Sequence, residues 1–204
     1  VDDSPVASGR EVDAETIRAE MASARTGLVT QLETFTHNTT EFLRREQDLL
    51  LHGRGLPTPA TRIAGRAVVV VVHGNELEAE LAAIRPFLRE QQPVLIGVER
   101  GAEALSEAGY TADIVVLDAQ AEEGDRPSAK TLRAARDVVV RVPRGADRTP
   151  TDGLERLGVR PLRLESAATC EDAALIMADA GDADVIIGVG MHATLDELLD
   201  RQSS

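Results

Sequence analysis

Charged residues and glycine follow an apolar run in the stretch GVERG, residues 97–101, which opens a segment of helical character. A strand-to-helix turn of this kind is where many α/β proteins hold a phosphate or a metal ion, because glycine lets the backbone approach and the helix N-terminus presents N–H groups. Here a glutamate and a bulky arginine stand where a nucleotide site would prefer a short acid and glycine. The stretch is therefore either an active site or the remains of one.

Further candidate ligands follow the other apolar runs, because ligands of an open parallel sheet bind beyond the carboxyl ends of its strands. His73 follows the first run and could act as a base, since imidazole titrates near neutrality, although a lone histidine is more often a packing residue. The candidate binding residues are Glu99, Arg100 and Gly101 after the second run, Asp118 after the third, Glu171 and Asp172 after the fifth, and Gly190 and His192 after the sixth.

Composition restricts the class of protein. Of 204 residues, 43% are hydrophobic but only 2% are aromatic, so the core is expected to consist of Val, Leu, Ile and Ala, as in a parallel sheet covered by helices. The formal charge of −13 argues against a nucleic-acid-binding face, which needs clustered Lys and Arg. Cys170 is the only cysteine, as expected for a reducing cytoplasm, and is predicted to be a structural thiol. No apolar run is long enough to predict a transmembrane span.

The chain is predicted to have four parts. Residues 1–12 are a disordered or partial start, 13–52 a long amphipathic helix, 53–65 a Gly- and Pro-containing linker, and 66–204 an α/β domain. The helix carries an apolar stripe at steps of three and four residues, which predicts a homodimer or a partner helix. Thr39 and Glu46 interrupt this stripe, which disfavours a long regular coiled coil. The predicted interface residues are Leu28, Leu32, Phe35, Phe42 and Leu49.

Six apolar runs rich in β-branched residues alternate with helical segments in the predicted domain. This alternation indicates an open parallel sheet with right-handed crossovers and flanking helices. Pro86 should kink or split the helix that follows the first run. The runs are 67–72, 93–98, 112–117, 137–142, 160–164 and 184–189.

Several blocks of sequence resemble the actinobacterial SteA family, from about Glu15 onward. The most specific is HATLDELLD (192–200), and LRREQDLLL (43–51) is second; GAEALSEAGYTADIVV (101–116) and TCED (169–172) agree. The family consists of cytokinetic-ring proteins whose central domain is similar to the catalytic domain of thiamine pyrophosphokinase. Its members carry further sequence on both sides, including a predicted membrane segment after the domain, so this chain resembles an excised part.

The resemblance also implies that the active site is degenerate. The pyrophosphokinase pattern has Asp-Gly-Gly-Ala after the second strand and Gly-Asp-x-Asp-Ser after the third, whose carboxylates hold Mg²⁺ against phosphate. Here these positions read Glu99-Arg100-Gly101-Ala102 and 117–121, LDAQA, so that Gln120 replaces an acid. We hypothesise that Arg100 pairs with Asp118 or Glu99 where a metal would stand. Mg²⁺ is then not expected, while residual binding of ATP or ADP stays open.

The resulting expectation is a non-catalytic cell-division scaffold that acts through protein–protein contacts in cytokinesis. The resemblance implies a cytoplasmic location at the inner face of the membrane at the division septum, and a membrane-associated coiled-coil partner of the SteB type. Membrane contact would come only through segments absent from this chain. The alternatives are a working ATP-dependent thiamine pyrophosphokinase and a nucleotide-binding sensor.

Overall fold

The computed structural model of the protein describes residues 12–74, 76–145 and 149–191. The described residues fall into two compact units, one that ends at Glu41 and one that begins at Phe42. Helix α1 (Ala14–Arg45) begins after Asp13, whose carboxylate accepts the Thr16 N–H at 2.7 Å and so caps the helix. Glu46 interrupts the helical segment, and the short helix α2 (Gln47–His52) ends at Gly53 in the left-handed conformation.

The second unit contains a six-stranded sheet and its crossover helices. The strands are β1 (Ala67–Val71), β2 (Val94–Val98), β3 (Ile114–Asp118), β4 (Asp137–Val142), β5 (Leu162–Glu165) and β6 (Val185–Val189). The helices are α3 (Leu77–Ala83), α4 (Arg85–Gln91), α5 (Arg100–Glu107), α6 (Ala129–Ala134), α7 (Thr149–Arg156) and α8 (Cys170–Ala180).

All described strand pairs are parallel, and the strand order is β5-β4-β3-β2-β1-β6. The chain therefore moves outward from β1 to β5 and then returns to the other side of β1 with β6. The carboxyl ends of all six strands lie at one edge of the sheet, where a ligand of such a fold binds.

The core has two layers, one on each face of the sheet. Alternate residues of β1 point to opposite faces, so that Val69 and Val71 join one apolar cluster and Val68 and Val70 join the other. Helices α3 to α7 contribute to the first cluster, and α2 and α8 contribute to the second. Because both faces are covered, the central strands are apolar throughout rather than alternating.

The segment 53–65, predicted as a linker, packs against the α8 side of the sheet. Ile63 is only 5% exposed and belongs to the same apolar cluster as α8. The Asp137 carboxylate, at the start of β4, accepts the N–H groups of Ala60 and Thr61 at 2.9 and 2.8 Å and the Thr61 hydroxyl at 2.6 Å. These contacts make the segment part of the α/β domain.

The structure confirms the predicted parallel open sheet, its flanking helices and the long N-terminal helix that precedes them. The helix after β1 is split at Ile84, directly before Arg85 and Pro86, as the proline predicts. Leu49 requires a correction: it was predicted as an interface residue, but it is 2% exposed and packs in the core of its own domain. No described helix is long and apolar enough to cross a membrane.

Candidate functional site

The turn between β2 and α5 places Glu99 at the carboxyl edge of the sheet. Glu99 has φ 48° and ψ −122°, a left-handed conformation that side-chain-bearing residues rarely adopt. The turn is tight because a Cβ on Gly97 would lie 2.6 Å from Ala102 Cα, and one on Gly101 would overlap the Val71 carbonyl oxygen. The two glycines of GVERG therefore let α5 start directly on the sheet.

Glu99, Asp118 and Cys170 converge at this edge. One ligand atom from each lies within 4.8 Å of the other two, and among the described residues this is the one such group of acids, cysteines or histidines. Asp118 ends β3, and its N–H donates to Glu99 Oε1 at 3.3 Å. Cys170 is the first residue of α8, whose N-terminus is capped by the Thr169 hydroxyl. The sequence predicted the two acids but not the cysteine as a member of the site.

The Asp118 carboxylate already forms an ion pair with an arginine of the neighbouring strand. Arg141 on β4 is the register partner of Asp118, and its Nη2 donates to Asp118 Oδ2. Their side chains are only 16% and 20% exposed, so the pair is largely shielded from water. Asp118 Oδ1 also accepts the Gln120 N–H at 2.8 Å, so both of its oxygens have partners.

Burial raises the pKa of each of the remaining two groups of the cluster. Burial raises the pKa of the Glu99 carboxyl, against the opposing effect of hydrogen bonds from the Asp118 N–H and the Cys170 thiol. Burial, together with the negative charges of Glu99 and Asp118, raises the pKa of the Cys170 thiol well above its usual range. A hard divalent cation prefers several ionised oxygens that are free to bind it, and in this cluster the Asp118 carboxylate is already paired with Arg141.

Arg100 does not fill the role that we hypothesised for it. Glu99 faces α8 and Cys170, whereas Arg100 lines a cleft on the opposite face of the sheet, between α3 and α5. Asp118 is paired with Arg141 instead. The hypothesis was wrong about the residue because consecutive side chains at this turn leave on opposite faces of the sheet.

The cleft between α3 and α5 has a volume of about 610 Å³. Arg100, Arg85 and His73 contribute exposed basic groups to it, and within the described residues neither arginine has an ion pair. Glu103 also lines the cleft, but its carboxylate accepts the Ser128 N–H at 2.7 Å. The other lining residues are Gly74, Leu77, Glu78, Leu81, Ala104, Glu107 and Ala108.

Gly190 is held at the edge between β1 and β6, where the strand order reverses. Its N–H donates to Glu80 Oε2 at 2.6 Å, and its φ of 74° would be strained for another residue. A Cβ on Gly74 would lie 2.8 Å from the Gly190 carbonyl oxygen. The two backbones are therefore in direct contact at the point where the strand order reverses.

The other sequence-predicted residues do not join the cluster. Glu171 and Asp172 lie in the first turn of α8, half-buried, but neither belongs to the group formed by Glu99, Asp118 and Cys170. His192 lies outside the described residues. Sequence reasoning missed Arg141, although it left one signal: it is the single charged residue inside the otherwise apolar run VVVRV, 138–142.

A second buried carboxylate lies at the same edge of the sheet. Glu46, between α1 and α2, has no exposed side-chain surface and receives two hydrogen bonds from Arg144, at 3.2 and 3.0 Å. It also accepts the Ala167 N–H at 2.9 Å, in the loop that leads from β5 to Cys170. This contact joins Glu46 to the loop that leads to the cysteine.

No protein-family model matches the chain, and a search of curated proteins finds no similar sequence.

Proposed function

We propose that this protein is a non-catalytic cell-division scaffold built on a degenerate pyrophosphokinase-like domain. The observation that carries the proposal is the ion pair between Arg141 and Asp118 at the place where a divalent cation would otherwise bind. At an effective dielectric constant of 20, a guanidinium about 5 Å away opposes a cation by about 3 kcal/mol for each unit of the cation's charge. One unit of charge already corresponds to about a hundredfold in affinity.

The chemistry of the neighbouring groups supports the same proposal. The raised pKa values of Glu99 and Cys170 disfavour the ionised forms that would bind Mg²⁺, and the Asp118 carboxylate is already paired with Arg141. The exposed apolar residues of α1 support a role in protein–protein contacts. Following the resemblance, the scaffold would act at the cytoplasmic face of the septal membrane with a SteB-type coiled-coil partner.

A calorimetric titration tests the ligand side of the proposal. We expect no binding of Mg-ATP to the wild type and no release of AMP after thiamine is added. Arg141→Gln frees the Asp118 carboxylate and should raise the affinity for Mg²⁺ by at least about a hundredfold, by the Coulomb estimate above. Arg163→Gln is the matched control, because it removes the same charge from β5, where Arg163 pairs with Glu165. AMP release by the wild type would overturn the proposal.

The cleft between α3 and α5 supports a second candidate, a nucleotide sensor. Its arginines, Arg85 and Arg100, could bind phosphate groups without a metal. The same titration separates the two candidates: binding of ATP in EDTA, without turnover, would favour the sensor, and the affinity should then fall when both arginines are changed to Gln.

A further inference from the structure

Helix α1 carries an exact heptad repeat of large apolar residues. Met21, Leu28, Phe35 and Phe42 are spaced by seven residues, and Leu49 continues the series beyond α1. We propose that α1 forms a short parallel coiled coil, in register from Met21 to Phe42, with a second copy of this chain. The proposal deepens the scaffold function, on which it rests, by naming the partner and the geometry of one contact.

Large apolar residues of this stripe are exposed to solvent. Met21 is 63% exposed and Phe35 39%, while Ile17, four residues before Met21 on the same stripe, is 46% exposed. Leu49, the next residue of the series, is 2% exposed because it packs in the α/β domain. The last residue of the repeat thus packs in its own domain, whereas the earlier residues form an apolar stripe that a second helix would cover.

Two polar residues within the stripe determine the orientation. With the heptad repeat as positions a, Gln31 and Asn38 occupy positions d. In a parallel, in-register pair each amide faces its own copy and can hydrogen-bond to it. In the antiparallel alternative Asn38 would face Met21 and Gln31 would face Leu28, so that each amide is buried against an apolar chain without a partner. The parallel pair is the one that satisfies both amides.

The charges that flank the stripe favour the same orientation. In a parallel pair Glu20, at position g, faces position e of the next heptad, which is Arg25, so that opposite charges meet across the seam. An antiparallel pair would instead place Glu20 opposite Glu41, both at positions g. Each charge pair contributes little to the free energy of association, but the interaction is attractive in the parallel orientation and repulsive in the antiparallel one.

The domain limits the length of the coil. Glu46, four residues after Phe42, is fully buried and bonded to Arg144 and Ala167 of its own domain. A second helix cannot cover Glu46 and Leu49 while these contacts exist. The coil therefore spans three heptads, which accounts for the interruption that the sequence shows at Glu46.

Disulfide cross-linking of the full chain tests the orientation. Met21→Cys and Asn38→Cys, oxidised separately, should each give a covalent dimer, since identical positions face each other in a parallel pair. In an antiparallel pair the two copies of position 21 would be roughly 25 Å apart, and a dimer would form only when the two variants are mixed. That result would overturn the proposal. Glu33→Cys, on the outer face, and the wild type, whose single Cys170 is buried, should stay monomeric on a denaturing gel.

Light scattering tests the number of chains. The wild type should have the mass of a dimer, and Phe35→Glu should raise its dissociation constant about a hundredfold by burying a charge in the seam. Thr40→Glu adds the same charge on the outer face and should leave the mass unchanged. A monomer or a trimer overturns the coiled coil but not the scaffold function, whereas a dimer that converts thiamine with Mg-ATP overturns the scaffold function and leaves the coiled coil standing.

Discussion

At the scale of single residues, Glu46 is a fully buried carboxylate whose charge is satisfied by groups far away in the sequence. Burial by itself would raise the pKa of Glu46, but the hydrogen bonds from Arg144 and the Ala167 N–H, with the positive charge of Arg144, hold the pKa below its usual value. Arg144 remains 57% exposed, so water can solvate the Arg144 guanidinium without its partner but cannot solvate the Glu46 carboxylate.

For this reason, we expect substitution of Arg144 to lower the free energy of unfolding more than substitution of Glu46. Arg144→Ala leaves a buried carboxylate without its cation and should lower the free energy of unfolding by about 3 kcal/mol. Glu46→Gln keeps an acceptor for the Ala167 N–H and returns Arg144 to water, so about 1 kcal/mol is expected. Urea unfolding at pH 7 measures both, and Arg163→Ala, in the more exposed pair with Glu165, should change little. Equal losses for Arg144→Ala and Arg163→Ala would contradict this account.

The same pair gives stability a defined pH dependence. Because the folded pKa of Glu46 is lowered from 4.5, its contribution is fully present above that value and is lost as the pH falls through the folded pKa. Glu46→Gln should therefore show a smaller loss of stability on acidification than the wild type, in the same unfolding measurement.

At the scale of elements, the close approach of β2 and α5 sets the position of the candidate site. Helix α5 packs on the sheet through Gly97 and Gly101, and this packing forces the left-handed turn at Glu99. The turn places the Glu99 carboxylate beside Asp118 and Cys170, where burial raises its pKa.

Gly97→Ala should separate this strand from its helix. The new methyl group would lie 2.6 Å from Ala102 Cα, which is backbone and cannot move aside without shifting α5. We expect a loss of about 1 to 3 kcal/mol in urea unfolding. Gly153→Ala in α7 is the control, because no atom lies within 4 Å of its Cβ and alanine favours a helix by up to about 1 kcal/mol. A neutral Gly97→Ala would show that α5 is not held this closely.

At the scale of the whole molecule, the α/β domain begins before its first strand. The sequence predicts a boundary at residue 66, but Glu46, Leu49 and the segment that contains Thr61 are all built into the domain. These residues cover the α8 face of a sheet that α8 covers only in part.

Two shortened chains test this boundary. A chain that begins at Phe42 should keep the free energy of unfolding of the second unit. A chain that begins at Arg66 loses the burial of Leu49, for which about 2 to 5 kcal/mol is typical, and the hydrogen bonds to Asp137. It should be unfolded or strongly destabilised by circular dichroism and urea titration. If both chains were equally stable, the segment 42–65 would not contribute to the stability of the domain.

Local patterns in the chain were enough to predict the strands and helices of the α/β domain in their order. Period, composition and turn residues are local, so the alternation of β-branched runs with helical segments was enough to predict a parallel sheet, and the run 137–142 was predicted with the bounds that β4 has. The carboxyl edge as the place for Glu99 and Asp118 also followed, because parallel strands end on the same side.

Which charged groups lie next to each other depends on contacts between residues that are distant in the sequence. Arg141 and Asp118 are 23 residues apart and are neighbours through the β3–β4 register, while Glu46 reaches Arg144 and Ala167 across 98 and 121 residues. A sequence pattern shows that a residue is charged, but not which group lies within hydrogen-bond distance of it or how much water is excluded. For that reason Arg100 was expected beside Asp118 and Arg141 was overlooked, although the nature of the site depends on that one pairing.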